Sequence, residues 1–372
     1  MILSKYPLLV QKEILDHMNH LDLLLLSFVS KNMKKLIMSS QKKASKSIKS
    51  IDYQYRRTDG TCAVYLLDEI KPLEEYYPRP SRTDDDMIMK IVERDEDENG
   101  KVQFNVLGNL IDFRFDGEYK YPVVSYQECD KESVFPLIHN HFLDIFGNSI
   151  EYHWVEQFWR YPEDLFIPFI PKLKNVSFNI GMNLDGHFSD VRNFKNFFSS
   201  SPVMKTIHLE VKTKMKQLGP GSKFYQAEYV YINTPRINGP NFLRHFRGKQ
   251  IGINCNEYRT SKLIDFVNRW KSGEAFQNLE YVEINIGKVN RSLYTVLNEI
   301  GAKFIDAHRQ PPAHTVYSLF NWGNKYRTFP LTSHRYIVRE TDNRVAYVDV
   351  MLGYFLFGVW DKTEEEFLRM LE

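Results

Sequence analysis

The chain has 372 residues and a formal charge of +2, so no global field favours nucleic acid or an anionic membrane surface. Apolar residues make up 43% of it and aromatic residues 14%, enough for a core, and its length suits two or three domains or one small module with one long domain. The cysteines, Cys62, Cys129 and Cys255, are odd in number and widely spaced, which argues against a disulfide framework or a zinc site and fits a reducing compartment.

The stretch Tyr6 to Ile37, YPLLVQKEILDHMNHLDLLLLSFVSKNMKKLI, reads as three short helices. Val10, Ile14 and Met18 recur at helical spacing, with Leu15 beside them. Asn19 and His20 interrupt the first helix, and Asp22 stands as the expected N-cap before Leu23 to Leu26. Ser30 is placed to cap a third helix with Met33, Leu36 and Ile37 on one side and Lys31, Lys34 and Lys35 on the other. A hairpin this small cannot enclose so much leucine by itself, so a partner or an attached domain is expected to cover the surplus. Lys12, Glu13 and Asp16 break any signal-peptide run, and Leu23 to Val29 is far short of the ~20 residues that cross a bilayer. The expectation is a soluble protein inside the cell, in cytoplasm and/or nucleus, with no membrane partner.

The order Tyr-Pro, Val10, Glu13-Ile14-Leu15, Met18, Asp22-Leu23-Leu24, Leu26 and Val29-Ser30-Lys31 resembles the F-box without a gap. Tyr6, Leu9, His20 and Met33 depart from the usual pattern, and all but His20 keep a side chain that packs. The resemblance implies docking onto a Skp-type adaptor and, through it, a cullin scaffold. Pro7, Val10, Ile14, Leu15, Met18, Leu23, Leu24, Leu26 and Val29 are the implied contacts. The competing reading is an ordinary helical hairpin packed on its own domain.

Lys42, Lys43, Lys46 and Lys49 follow, with no Arg or aromatic residue interleaved, so a solvated hinge is favoured over a nucleic-acid patch. Ile51–Arg57 and Thr61–Leu67 alternate around Thr58-Asp59-Gly60 as a hairpin. After Pro72, Pro78 and Pro80, the segments Met87–Val92, Lys101–Val106 and Leu110–Phe115 read as further strands, with turns at Asn99-Gly100, Gly108-Asn109 and Asp116-Gly117. The acidic run Asp95 to Glu98 reads as a loop tip. Ser133–Phe146 looks helical, and its His139 and His141 cannot share a face at that spacing.

Three segments repeat one pattern: PKLKNVSFNI (Pro171–Ile180), PVMKTIHLEV (Pro202–Val211) and QNLEYVEINI (Gln277–Ile286). Leu173, Val176, Phe178, Ile180 match Met204, Ile207, Leu209, Val211 and Leu279, Val282, Ile284, Ile286. Weaker copies carry Ala227, Val230, Ile232 and Ile251, Ile253, Cys255. Helices are expected between them, over Asp190–Phe198, Asn241–Phe246, Ser261–Lys271 and Ser292–Ile300. That succession points to leucine-rich-repeat-like units, a parallel sheet with helices on one side. The outward residues would then be Ser177, Asn179, His208, Glu210, Tyr231, Asn233, Gly252, Asn254, Glu283 and Asn285, a polar face for a protein substrate.

Tyr336–Glu340, Arg344–Val350 and Tyr354–Trp360 form an expected antiparallel meander, with Tyr354, Phe355, Phe357 and Trp360 read as core. RYIVRETDNRVAYVDVMLGYFLFGVW and FVNRWKSGEAFQNLEYVEI (Phe266–Ile284) resemble the F-box-associated domain type 2 of nematode F-box proteins. That resemblance implies a substrate-receptor subunit. No G-x-S-x-G, H-E-x-x-H, dinucleotide glycine pattern or paired-cysteine set appears, so neither catalysis, a metal nor a cofactor is expected.

The expected fold is α/β, α+β overall: an N-terminal three-helix F-box, antiparallel strands, strand-helix units and a C-terminal antiparallel meander. The domains are 1–48 for the F-box and 50–372 for substrate recognition, divided into 50–130, 165–300 and 330–362. The expected function is a substrate-recognition subunit of a Skp-cullin-F-box ubiquitin ligase, against a protein-binding scaffold without that role.

Overall fold

The computed structural model describes residues 5–40, 48–67, 86–94, 101–115, 120–158, 169–184, 191–211, 218–234, 240–255, 259–285, 292–317, 328, 330–351 and 353–371. Lys42, Lys43, Lys46, the acidic run 95–98, the prolines at 72, 78 and 80, the turns at 99–100 and 116–117, and Ile286 lie outside them. The first elements are helices α1 (Leu8–Asp16), α2 (His20–Val29) and α3 (Lys31–Ser40). Asn19, and not Asp22, caps α2: its Oδ1 accepts from the Asp22 amide at 2.8 Å while its Nδ2 donates to the Asp22 carboxylate at 2.8 Å. Asn caps as well as Asp does, and the helix starts at the earlier of the two. Asp22 then lies in the first turn, where the helix dipole favours a negative charge. The Ser30 hydroxyl accepts from the Met33 amide at 3.1 Å, as the spacing predicts.

The chain divides into two compact units. The first, Met1–Gln157 with Phe169–Ser177, joins these helices to strands β1 (Ser50–Arg56), β2 (Thr61–Leu67), β3 (Met87–Glu93), β4 (Lys101–Val106), β5 (Asn109–Arg114) and β6 (Val123–Tyr126), helix α4 (Lys131–Phe146) and strand β7 (Glu151–Phe158) as far as Gln157. Their order across the sheet is β7-β1-β2-β3-β6-β5-β4. The β1–β2 hairpin closes through a 3-10 turn and Gly60, whose φ of 61° suits a residue without a Cβ. The next hairpin turns on Leu107 and Gly108, with positive φ at both, one residue earlier than the sequence indicates. The Asn105 side chain fixes that turn by accepting from the Gly108 amide at 2.9 Å. The region is not wholly antiparallel, because β6 runs parallel to β3 and β7 parallel to β1. At four residues, β6 is too short to show a periodicity. Helix α4 covers the sheet with Val134, Phe135, Ile138 and Phe142, all buried.

The second unit takes Phe158–Pro168 and Phe178–Glu372. It contains strand β8 (Val176–Leu184) from Phe178 onward, helix α5 (Val191–Ser200), strands β9 (Thr206–Val211) and β10 (Tyr229–Asn233), helix α6 (Pro240–Leu243), strand β11 (Gln250–Asn254), helix α7 (Thr260–Lys271), strand β12 (Tyr281–Asn285) and helix α8 (Ser292–Glu299). Strands β13 (Lys303–Phe304), β14 (Arg335–Val338), β15 (Arg344–Met351) and β16 (Tyr354–Thr363) and helix α9 (Glu364–Arg369) complete it. Strands β8 to β12 are parallel and adjacent in chain order, then β16, β15, β14 and β13 continue antiparallel.

Ile180, Ile207, Val230, Ile251 and Val282 line up across neighbouring strands as one buried rung, and Met182, Leu209, Ile232, Ile253 and Ile284 make the next. Burying each such side chain is worth roughly 1.5–3 kcal/mol, which is why these offsets recur. The recurrence stops at the strands. Helix α7 has 12 residues and α6 only 4, so successive units are not copies of one another. Strand β8 also pairs Ile180, not Val176, with Ile207. A slip by an even number of residues leaves the same side chains on the same face, so the pattern alone cannot fix that register. The meander is present, with Phe355 and Phe357 fully buried. Its last strand runs on to Thr363, which starts α9 through a reciprocal capping box with Glu366. Phe367 of α9 packs on Tyr336, Tyr347 and Trp360.

Candidate functional site

Helices α1 to α3 enclose a small core of Leu15, Leu23 and Ile37, with Met18, Leu26, Met33 and Leu36 packed against it. This sorts the nine residues implied as adaptor contacts. Leu15, Leu23 and Leu24 are buried by the chain itself, at 0%, 4% and 1% exposure, contrary to the expectation that they are left uncovered. Ile14, Met18 and Leu26 are half-buried. Pro7, Val10 and Val29 are exposed.

The outward surface also includes residues that are not among the implied contacts. Tyr6, Leu8 and Leu9 continue the exposed run at the start of α1, with Leu9 at 81%, and Met38 is exposed on α3. A helical wheel finds the greasy side of α1, but Leu8 and Leu9 in the first turn lie off that stripe and read as incidental. Their exposure is the kind of apolar surface that a partner covers.

The hairpin is fastened to its own unit through α4. The His141 Nε2 lies 2.8 Å from the Ser27 hydroxyl of α2, and Nδ1 lies 3.3 Å from the Lys34 ammonium of α3. The imidazole stacks on Phe28 with centroids 4.0 Å apart, and Phe28 reaches Phe113 at 4.9 Å. Lys34 also pairs with Asp144 at 2.7 Å. Burial, and next the Lys34 charge, push the His141 pKa down to about 3. His139 points elsewhere on α4: it accepts from the Tyr53 hydroxyl at 2.9 Å and donates to the Lys174 carbonyl at 2.8 Å. The two histidines diverge as their spacing predicts, and each makes a structural contact.

The expected substrate face is less open than its alternation implies. His208, Tyr231, Gly252 and Glu283 share one rung, and Glu210, Asn233, Asn254 and Asn285 the next. Most of these are half-buried, Gly252 is buried, and none is exposed. Ser177 is half-buried and, with Asn179, falls outside both rungs because of the β8 register. Asn179 is buried and accepts from the Thr206 hydroxyl at 3.0 Å. Polar groups here bond to one another: Tyr281 donates to Glu283 at 3.4 Å and Asn285 donates to the Tyr354 hydroxyl at 3.2 Å. Burial raises the Glu283 carboxyl above its ordinary range. The preceding rung, with Gln250, is crossed by the segment at His314–Tyr317, since Gln250 donates to the Tyr317 carbonyl at 2.6 Å and His314 to the Val359 carbonyl at 2.9 Å. Sequence alternation marks which side chains leave the core but not which later segment crosses over them.

A buried acid stands apart from both features. Glu156 on β7 is fully buried, takes the Trp154 indole N–H at 3.4 Å on one oxygen, and has no hydrogen bond to the other among the described residues. Burial raises its pKa to about 8, against the lowering effects of that hydrogen bond, Arg57 and Lys131. Lys131 lies over the Tyr55 and Phe169 rings at 5.3 and 4.8 Å and pairs with Glu128 at 3.3 Å. Among the described residues no group of His, Cys, Asp and Glu is arranged to hold a metal ion, and no helix is long and apolar enough to cross a membrane.

No curated protein and no solved structure matches the chain. Residues 7–45 match the F-box domain, and the three-helix hairpin at the start of this chain is therefore an F-box.

Proposed function

We propose that this protein is a substrate-recognition subunit of a Skp-cullin-F-box ubiquitin ligase, working in cytoplasm and/or nucleus. The F-box at residues 7–45 carries the reading, since this domain generally binds Skp-type adaptors and F-box proteins are generally non-catalytic receptors. The exposed run Tyr6 to Val10, together with Val29, is the surface offered to the adaptor, and the half-buried Ile14, Met18 and Leu26 would border it. The buried Leu15, Leu23 and Leu24 hold the shape of the hairpin. The remaining residues recruit a protein target, in line with the resemblance of Phe266–Ile284 and of the C-terminal meander to an F-box-associated domain. The contribution to chemistry is proximity: a target lysine is held at high effective concentration beside the conjugating enzyme.

A second reading, a binding scaffold outside any ligase, draws on the same burial, because the hairpin core is closed without a partner. Co-purification of the full chain with a Skp-type adaptor separates the two. A stable complex supports the receptor; an F-box that stays folded yet never retains the adaptor supports the scaffold. Leu23→Asp plus Leu24→Asp is a poor probe, since it would unfold the hairpin whichever reading holds.

A further inference from the structure

The sheet of the first unit ends at β4, and among the described residues no strand lies beyond it. The hairpin shows which main-chain groups are left over. Leu107 and Gly108 make a two-residue turn with positive φ at both, so Val106 and Asn109 form the hydrogen-bonded pair that closes it. Bonded and non-bonded pairs then alternate along the ladder. Phe104 and Val102 bond to Ile111 and Phe113 of β5, whereas the N–H and C=O groups of Gln103 and Asn105 point away from the sheet. On that outer side neither residue's main chain meets a hydrogen-bond partner among the described residues.

Edges of this kind are usually blunted by proline, charge or a bulge, because an open one invites another strand. Strand β4 has none of these: its register with β5 is unbroken, and Val102 to Val106 contains neither proline nor a charged residue. One face is apolar and supported from within. The Phe113 ring packs on Phe28 of α2 at 4.9 Å and on Phe104 at 5.1 Å. The rim of that face is uncovered: Val102 and Phe115 are each 47% exposed, and Phe115 lies 6.0 Å from the half-buried Phe104. The other face presents the exposed amides of Gln103 and Asn105. Gln103 is held in place by donating to Asp112 at 2.9 Å, and Asn105 by its bond to the Gly108 amide.

We propose that two copies of this chain pair through β4, antiparallel, about a two-fold axis at Gln103. That register sets the two Gln103 residues opposite each other, joined by two main-chain hydrogen bonds. Val102 then opposes the partner's Phe104 on the apolar face, in a non-bonded pair where side chains come closest. Asn105 opposes the partner's Lys101, so no like charges meet. The strand is thus complementary to itself in main chain, apolar face and charge, which is what a closed two-fold interface requires. An unrelated strand would have to supply that match afresh; a second copy brings it. The contact is small, so a dissociation constant on the order of 10 μM is expected.

The test is sedimentation equilibrium of the full chain between about 1 and 200 μM, without adaptor. The parent chain is expected to pass from one chain mass towards two across that range. Gln103→Lys and Gln103→Glu each place like charges across the axis and should weaken self-association at least about tenfold. Mixed in equal amounts, the two variants should recover it, because opposite charges then meet, and that recovery excludes misfolding as the cause of the loss. Gln103→Pro removes an outward N–H without touching the bonds to β5 and should leave a single chain. A parent chain that stays single throughout overturns the proposal. So does self-association that survives either charge, or a mixture that stays single. If Gln103→Pro instead removes binding of a Skp-type adaptor from a single parent chain, the edge belongs to the adaptor and not to a second copy.

Discussion

The imidazole of His141 and the hydroxyl of Ser27, 114 residues apart, meet at 2.8 Å and fasten the F-box to the rest of its unit. The direction of each bond follows from its partners. An ammonium only donates, so Lys34 gives a proton to Nδ1, and His141 is neutral with its hydrogen on Nε2. That hydrogen goes to Ser27, whose own hydroxyl donates to the Leu24 carbonyl. Replacing His141 with Ala leaves Ser27 and Lys34 short of a partner and removes the ring stacked on Phe28. The expected cost is about 2–4 kcal/mol in denaturant unfolding, with hydrogen exchange in α2 and α3 rising before that in the sheet.

The same group sets an acid limit. Its ordinary pKa is 6.5 and folding lowers it to about 3, so the unfolded chain takes up the proton first. Its contribution is therefore complete above pH 6.5 and is lost as the pH falls from there towards 3, reaching about 2 kcal/mol by pH 5. In His141→Gln the slope of stability against pH across that window should be smaller by one proton. Identical slopes would show that the ring titrates normally.

Glu156 works in the opposite direction. Its pKa rises from 4.5 to about 8 on folding, so its contribution is complete below pH 4.5 and is lost as the pH climbs to 8. Glu156→Gln keeps an acceptor for the Trp154 indole and removes the charge. The variant should gain on the parent steadily between pH 4.5 and 8, by about 4–5 kcal/mol at the upper end, and the gap should then level off. Thermal unfolding at a series of pH values reads this directly, and a gap independent of pH would refute it.

Gly248 reports on how tightly the turn between α6 and β11 is built. Its missing Cβ leaves room for the Ala227 carbonyl and the Phe246 ring, and the carbonyl is backbone that cannot swing away. Gly248→Ala should cost at least about 1–3 kcal/mol in chemical denaturation. An unchanged midpoint would mean that the loop carrying Arg247 relaxes freely.

Much of this was legible in the residues. The three-helix stretch, the Ser30 cap, the parallel strands and the C-terminal meander all follow from periodicity and turn chemistry, because the burial that selects those patterns is local to each element. Three kinds of feature were not. Helix α9 was announced by Thr363 and Glu366 at capping-box spacing, but that signal lay beyond an apparent strand end at Trp360. The β8 register depends on which of Val176, Phe178 and Ile180 pairs with Ile207, which no pattern within one strand decides. The crowding of the Tyr231–Glu283 face depends on a distant segment crossing beside it, and only the folded chain brings the two together.

The adaptor contact is the claim on which the rest depends, and the outward side chains test it without disturbing the hairpin core. Binding of a Skp-type adaptor to the full chain, measured by calorimetry, is compared with Leu9→Asp plus Val29→Asp, both exposed in the free protein. Covering one such side chain is worth roughly 1.5–3 kcal/mol, so the pair should lower affinity at least about a hundredfold at an unchanged unfolding midpoint. Adaptor binding that persists undiminished in this variant would contradict the account.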